Sequence, residues 1–278
     1  LTLRHVCGIA TEQIAAAFLV PTPTLAQRIV RAKSRIRESR IPFEVPAADQ
    51  LPERLDAVLT VIYLIYNEGY SSPASATLAT EAIRLGRLLV QLMPDAESIG
   101  LLALMLLQES RRASRTDFNG DVILLEHQDR SLWNRAAIDE AVSLVDRALA
   151  SDPPGPFTLQ AAIAAVHAST PLFAATDWNR IVALYQQLAE VNPSPVVRLN
   201  LAVALAERDG PEAGLAMVES LLDQYHLSRY HLAHATRAEL LRRLERRLEA
   251  RSAYLAALAL AHNDSDRRFL QSRIDELG

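Results

Sequence analysis

The chain has 278 residues, half of them hydrophobic, and a formal charge of −4, which supplies a substantial core and room for about two domains or one elongated array. One cysteine excludes an internal disulfide framework, and the longest apolar run, IGLLALMLL at 99–107, falls well short of the ~20 residues a membrane span needs. Few aromatics, nine glycines and an abundance of Ala and Leu predict an all-α protein.

With no secretory signal at its start, the chain is expected to be soluble and cytoplasmic. Its charge is uneven. Residues 1–46 hold seven Arg or Lys against three Glu, or +4, so the rest carries −8. A small basic head on an acidic body suggests that only the head meets a polyanion.

In the head, TEQIAAAFLV opens at Thr11 and places Ile14, Ala15 and Phe18 on one helical face. Pro21 stops that helix. Thr22 is the expected N-cap of the next, with Pro23 at its first position. In TPTLAQRIVRAKSRIR, Leu25, Ile29, Ala32 and Ile36 recur at i, i+4, i+7 and i+11 and are expected to pack inward. The opposite side carries Thr24, Gln27, Arg28, Arg31 and Arg35. A helix, a short turn and a second helix with hydrogen-bonding and cationic side chains outward is the arrangement that major-groove reading requires. A solvated basic helix face is the plainer alternative.

TEQIAAAFLVPTPTLAQRIVRAKSRIR resembles the promoter-reading helix-turn-helix in region four of extracytoplasmic-function sigma factors. The matching positions are Glu12-Gln13-Ile14-Ala15, Thr24-Leu25, Arg28-Ile29 and Arg31-Ala32-Lys33. The chain departs from that pattern at Ala26, where many members carry Lys or Arg. The resemblance implies that Thr24, Gln27, Arg28 and Arg31 meet the upstream promoter element and that Lys33 and Arg35 meet the DNA backbone. It also implies the RNA polymerase core as a partner, mainly through a region two that would precede Leu1. On this reading the chain is a fragment, with residues 1–40 a partial region four.

Pro42, Pro46 and Pro52 mark a linker over 41–52, with Ile41, Phe43 and Val45 expected to pack. From 53 to 278 helix follows helix. RLDAVLTVIYLIYNEGY (54–70) is apolar nearly all round and is expected to be buried. Helices are also predicted over 79–93, 98–115 and 134–150, and DVILL within 116–133 is the one candidate extended segment, with Gly120 suited to a turn. LAERDGPEAGLAMVESLL (205–222) resembles LRRLERRLEARSAYLAAL (241–258), pairing Ala213 with Ala250 and Leu205 with Leu241. That period is near the tetratricopeptide hairpin length, and 177–195 reads as the second helix of an earlier unit. A plain helical bundle is the alternative. YLIYNEGY, LLALMLL, EHQDRSLW, GPFTLQAAIAAVHA and DWNRIVALY resemble the tetratricopeptide-like C-terminal extension of one subgroup of these sigma factors. Such an extension would regulate the head or recruit a protein partner.

Two polar groups are candidates for chemistry. His127, Asp129, Arg130 and Trp133, with Asn67, Glu68 and Tyr70, could be an acid–base site, but no motif with a known catalytic mechanism accompanies them. His226, His231 and His234 have no Cys or carboxylate at ligand spacing. The expectation is a protein that is not an enzyme, without cofactor or metal, binding promoter DNA. The alternative is a different helix-turn-helix regulator whose repeat domain senses a ligand or protein.

Overall fold

Three helices build the head: α1 (Thr2–His5), α2 (Thr11–Ala17) and α3 (Thr22–Ser39). The computed structural model describes every residue except 6–7, 19, 40–47, 72–75, 119, 152 and 225. The Gln13 side chain folds back to accept from Ala10 N at 2.9 Å and closes the start of α2. The first bond of α3 runs from Leu25 N to Pro21 O at 3.1 Å. Pro21 therefore holds the capping position, one residue earlier than the sequence suggested, and Thr22 and Pro23 lie inside the first turn.

Ile14 and Ala15 are buried as expected, but Phe18 is 48% exposed. The apolar stripe of α3 is covered only in part, since Leu25, Ile29 and Ala32 are half-buried while Ile36 is 49% exposed. Length explains this. An 18-residue helix outruns the seven-residue α2 beside it by roughly 16 Å at 1.5 Å per residue, and nothing described covers the overhang.

The body is all-α: α4 (Leu51–Ser71), α5 (Ala76–Leu92), α6 (Ala96–Glu109), α7 (Arg135–Leu149), α8 (Pro156–Ser169), α9 (Trp178–Val191), α10 (Pro195–Asp209), α11 (Pro211–Gln224), α12 (His231–Arg243), α13 (Arg247–Leu260) and α14 (Asp264–Glu276). Successive helices pair as hairpins, α4 with α5, α6 with α7, α8 with α9, α10 with α11 and α12 with α13, and α14 packs on α13. Local chemistry starts and stops them. Asp95, Asn134, Asp177, Ser194 and Asn263 cap α6, α7, α9, α10 and α14 through side-chain acceptors. Pro156, Pro195 and Pro211 open α8, α10 and α11, where a missing N–H costs nothing. Gly210 ends α10 at φ 103°, a conformation that side chains disfavour.

The proline-rich stretch ends as helix, with a 3-10 turn at Ala48–Gln50 and α4 beginning at Leu51. The expected packing of Ile41, Phe43 and Val45 lies outside the described residues. Burial also differs from expectation. Helix α4 buries one face, through Leu55, Leu59, Ile62, Ile65 and Tyr66, and leaves Val58 42% exposed. The helix buried on all sides is α6, whose residues 98–107 are all buried. It packs against α4, α5, α7 and α8, whereas α4 stands at the end of the stack. DVILL is not a strand. One antiparallel bridge, Thr116 with Val122, closes a turn in which Gly120 has φ 80°.

The repeat in the C-terminal third corresponds to two hairpins, but its small-residue pairing shifts by one. Ala250 is fully buried, while Ala213 is exposed. The residue held against the neighbouring helix is Gly214, where a Cβ would lie 2.6 Å from Ala202 O and from the Ala206 Cβ. Gly214 to Ala250 then matches the spacing of Leu205 to Leu241.

Candidate nucleic-acid interface and concave pocket

Thr24, Gln27, Arg28, Arg31, Lys33 and Arg35 all project from α3 and all are exposed. None of the six makes a side-chain hydrogen bond or ion pair with another described residue. Their donors are uncommitted, which suits forked recognition of guanine or phosphate. They do not share one face. Thr24, Gln27, Arg31 and Arg35 lie on the arc away from Leu25, Ile29 and Ala32. Arg28 sits at one margin, facing a cleft that Thr60, Val61 and Leu64 of α4 also line. Lys33 sits at the other, close enough to His5 of α1 for its charge to act, after burial, in pushing that imidazole down. Base reading would fall to the outer arc, and Arg28 and Lys33 would flank it.

The head rests on the body through a seam that is mostly apolar. Leu3, Ile9 and Ile14 join the same buried cluster as Leu59, Ile62 and Tyr66, with Leu25 packed against it. One polar bond crosses, from Gln13 Nε2 to Glu68 Oε1 at 2.7 Å. Among the described residues no head Arg or Lys pairs with a body carboxylate, so charge attraction is not what fixes the contact.

The residues of the candidate acid–base site are dispersed into structural roles. Glu68 accepts the Gln13 bond. Asp129 caps a 3-10 turn by accepting from Ser131 N and Oγ at 2.8 and 2.6 Å, bonds that hold its carboxyl below the usual range. His127 is exposed beside Glu126 at 3.6 Å. Tyr70 lies under the guanidinium groups of Arg112 and Arg115. Arg130 is buried and donates through Nη1 to the carbonyls of His167 and Thr170 at 2.7 and 2.6 Å, closing the C-terminus of α8. Trp133 Nε1 donates to Ser114 Oγ at 2.8 Å. Of the three histidines, His231 pairs with Asp266 at 3.1 Å and His234 with the Ser228 carbonyl at 2.9 Å. No cluster of three His, Cys, Asp or Glu suited to a metal occurs among the described residues.

A site that the sequence did not disclose lies on the concave side of the hairpins. The pocket holds about 740 Å³, within the usual range for small-molecule sites. Alternate helices α4, α6, α8 and α10 turn one face into it, α9 adds Tyr185 and Leu188, and Ala17 at the end of α2 reaches its rim. Burial pushes Tyr63 up, opposed by the Asn67 and Gln108 side chains bonded to it, and burial raises Tyr185 to about 12.

His167 lines the same pocket, edge-on to Trp178 with ring centroids 5.3 Å apart. Its Nδ1 is buried without a partner. Burial, then the charges of Arg111 and Arg130, push it down to about 4. Unfolded histidine titrates near 6.5, so between those values the unfolded chain binds a proton that the folded chain refuses. This contribution is constant above about pH 6.5 and costs stability as pH falls towards 4, by up to about 3 kcal/mol. Urea midpoints from pH 8 to 4.5 should show that decline, and in His167→Phe the decline should be visibly shallower. An identical pH slope in both proteins would rule out His167 as its source.

Residues 54–149, from α4 through α7, match the Family of unknown function (DUF6596). The whole chain aligns with an uncharacterized protein, R00370, of Rhizobium meliloti (strain 1021), at 50% identity over 283 residues. The chain spans 66% of the length of that relative. No helix among the described residues is long and apolar enough to cross a membrane.

Proposed function

We propose that the chain reads promoter DNA through α3 as part of an extracytoplasmic-function sigma factor, with α4–α14 as an extension that regulates the head or recruits a partner. It acts by binding and has no catalytic role. The observation that carries this reading is the outer arc of α3, where Thr24, Gln27, Arg31 and Arg35 are exposed and unpaired among the described residues. The motif resemblance adds the target, an upstream promoter element, and the polymerase core as a partner that region two would engage.

The test is binding of the chain to a panel of promoter duplexes at several salt concentrations. Tight binding to a subset is expected, with a steep loss of affinity as salt rises. Arg31→Ala should cost about 1–3 kcal/mol, roughly 5–150-fold, on the preferred duplex only. Lys33→Ala should weaken binding on every duplex alike. Equal, weak binding throughout, unchanged by either substitution, would sink the reading.

A second reading is favoured by the concave pocket of the body, whose rim Ala17 of the head reaches: a helix-turn-helix regulator that senses a ligand and needs no polymerase. Co-purification of the full-length protein with core polymerase separates the two.

A further inference from the structure

The concave pocket has an unbalanced lining. Five side-chain amides face it, Asn67, Gln108, Gln160, Asn192 and Asn200, together with Tyr63, Tyr185 and Tyr230. Among the described residues no Asp or Glu lines it, and Arg111 is its one Arg or Lys. Arg111 is half-buried and has no carboxylate partner among the described residues. Its guanidinium lies 5.8 Å from the centre of the Trp133 ring, and that of Arg130 lies 4.7 Å from the same ring. Arg130 is buried, bonded through Nη1 to the His167 and Thr170 carbonyls and the Thr170 hydroxyl, and its Nη2 has no partner among the described residues. Two guanidinium groups therefore share one indole with no acid to offset them. Several other Arg residues of the body do have counter-ions: Arg87 pairs with Glu140, Arg112 with Glu109, Arg237 with Glu219 and Arg242 with Glu239.

We propose that this pocket binds a small organic molecule carrying one carboxylate, which Arg111 holds while the ring of amides and tyrosines holds its polar body. A half-buried cation without a counter-ion is unfavourable and is relieved when a ligand brings one. One lining cation matches a monoanion better than a phosphate dianion. Side-chain amides both donate and accept, so they fit a body with mixed hydrogen-bonding groups, and the tyrosine faces fit an apolar or aromatic part. The volume suits a molecule of drug size. This inference is independent of the promoter reading, and its test involves neither DNA nor polymerase.

The experiment is calorimetric titration of the unaltered chain with N-acetyl-phenylalanine, N-acetyl-tyrosine and benzoylglycine, each beside its uncharged amide. Inorganic phosphate, sodium chloride and a tetrapeptide acid form further arms. At least one free acid should bind with a dissociation constant on the order of 0.1–1 mM, and its amide about tenfold more weakly. Arg111→Gln should lose binding to about the level of the amide and Arg111→Lys should recover part of it, with both variants melting near the parent. The acid–amide comparison uses the unaltered protein, so it stands even if a variant folds poorly. Equal binding of acid and amide, or no binding of any acid at 10 mM (about tenfold above the weaker limit of that range), would overturn the proposal. So would phosphate or chloride binding as well as the acids, or the tetrapeptide binding about tenfold tighter, which would mark a peptide groove.

Discussion

Gly100→Ala should destabilise the protein by about 2–3 kcal/mol, although alanine is the better helix former by about 1 kcal/mol. At Gly100 in α6 a Cβ would lie 2.6 Å from Thr158 N, 2.7 Å from its Oγ1 and 2.8 Å from its Cα. The obstacle is the backbone of α8 at its first turn, which moves only if the α6–α8 contact opens. Gly86→Ala in α5 is the matched control. There the nearest atom is Met105 Cε at 2.7 Å, the free end of an adaptable side chain, so the expected change is within about 1 kcal/mol of zero. Chemical denaturation of both variants checks the pair. Equal losses would show that helix-to-helix approach is not the constraint.

Glu97→Ala should cost a similar amount, about 2–4 kcal/mol, for a different reason. The Glu97 carboxylate in α6 accepts from Phe157 N at 2.8 Å and from Thr158 N at 2.9 Å, so it caps α8 from the neighbouring helix. Two amide groups at a helix N-terminus lose an anionic acceptor when it is removed. Glu97→Gln keeps the reach but offers one acceptor oxygen in place of two, so it should cost about half as much. Denaturant midpoints of Glu97→Ala and Glu97→Gln order these effects. A loss below about 0.5 kcal/mol for Glu97→Ala, as for an ordinary surface substitution, would mean that water caps α8 equally well.

Neither residue could be found from the sequence, because each acts on a partner about 60 positions away and carries no local pattern. What was legible is local. Helical periodicity gave α4 to α7 within a few residues, except that α6 ends at Glu109 and a 3-10 turn at Arg112–Ser114 takes up the rest of 98–115. Burial was less legible, because an apolar stripe shows which face seeks cover and not whether a neighbour is long enough to give it. Phe18, Ile36 and Val58 are the cases in point. The pocket was invisible for the same reason as the α6–α8 junction. Its amides stand singly on helices far apart in the chain and meet only when alternate helices turn inward. Arg130 read as possible chemistry and is a helix cap, since sequence proximity to His127 and Asp129 said nothing about which way each side chain points.

For α3, periodicity separated an inward stripe from an outward polar side, and all six predicted residues are exposed. It did not separate the outer arc from its two margins, which depend on where α1 and α4 lie.

Promoter reading requires that α3 distinguish one DNA sequence from another. Selection from a library of randomised duplexes, carried out with the chain and with Arg31→Ala, measures this directly. Enrichment of one short motif by the chain is expected, with its loss, or relaxation at one position, in Arg31→Ala. A selected pool as random as the starting library would contradict it and leave α3 as a basic surface helix.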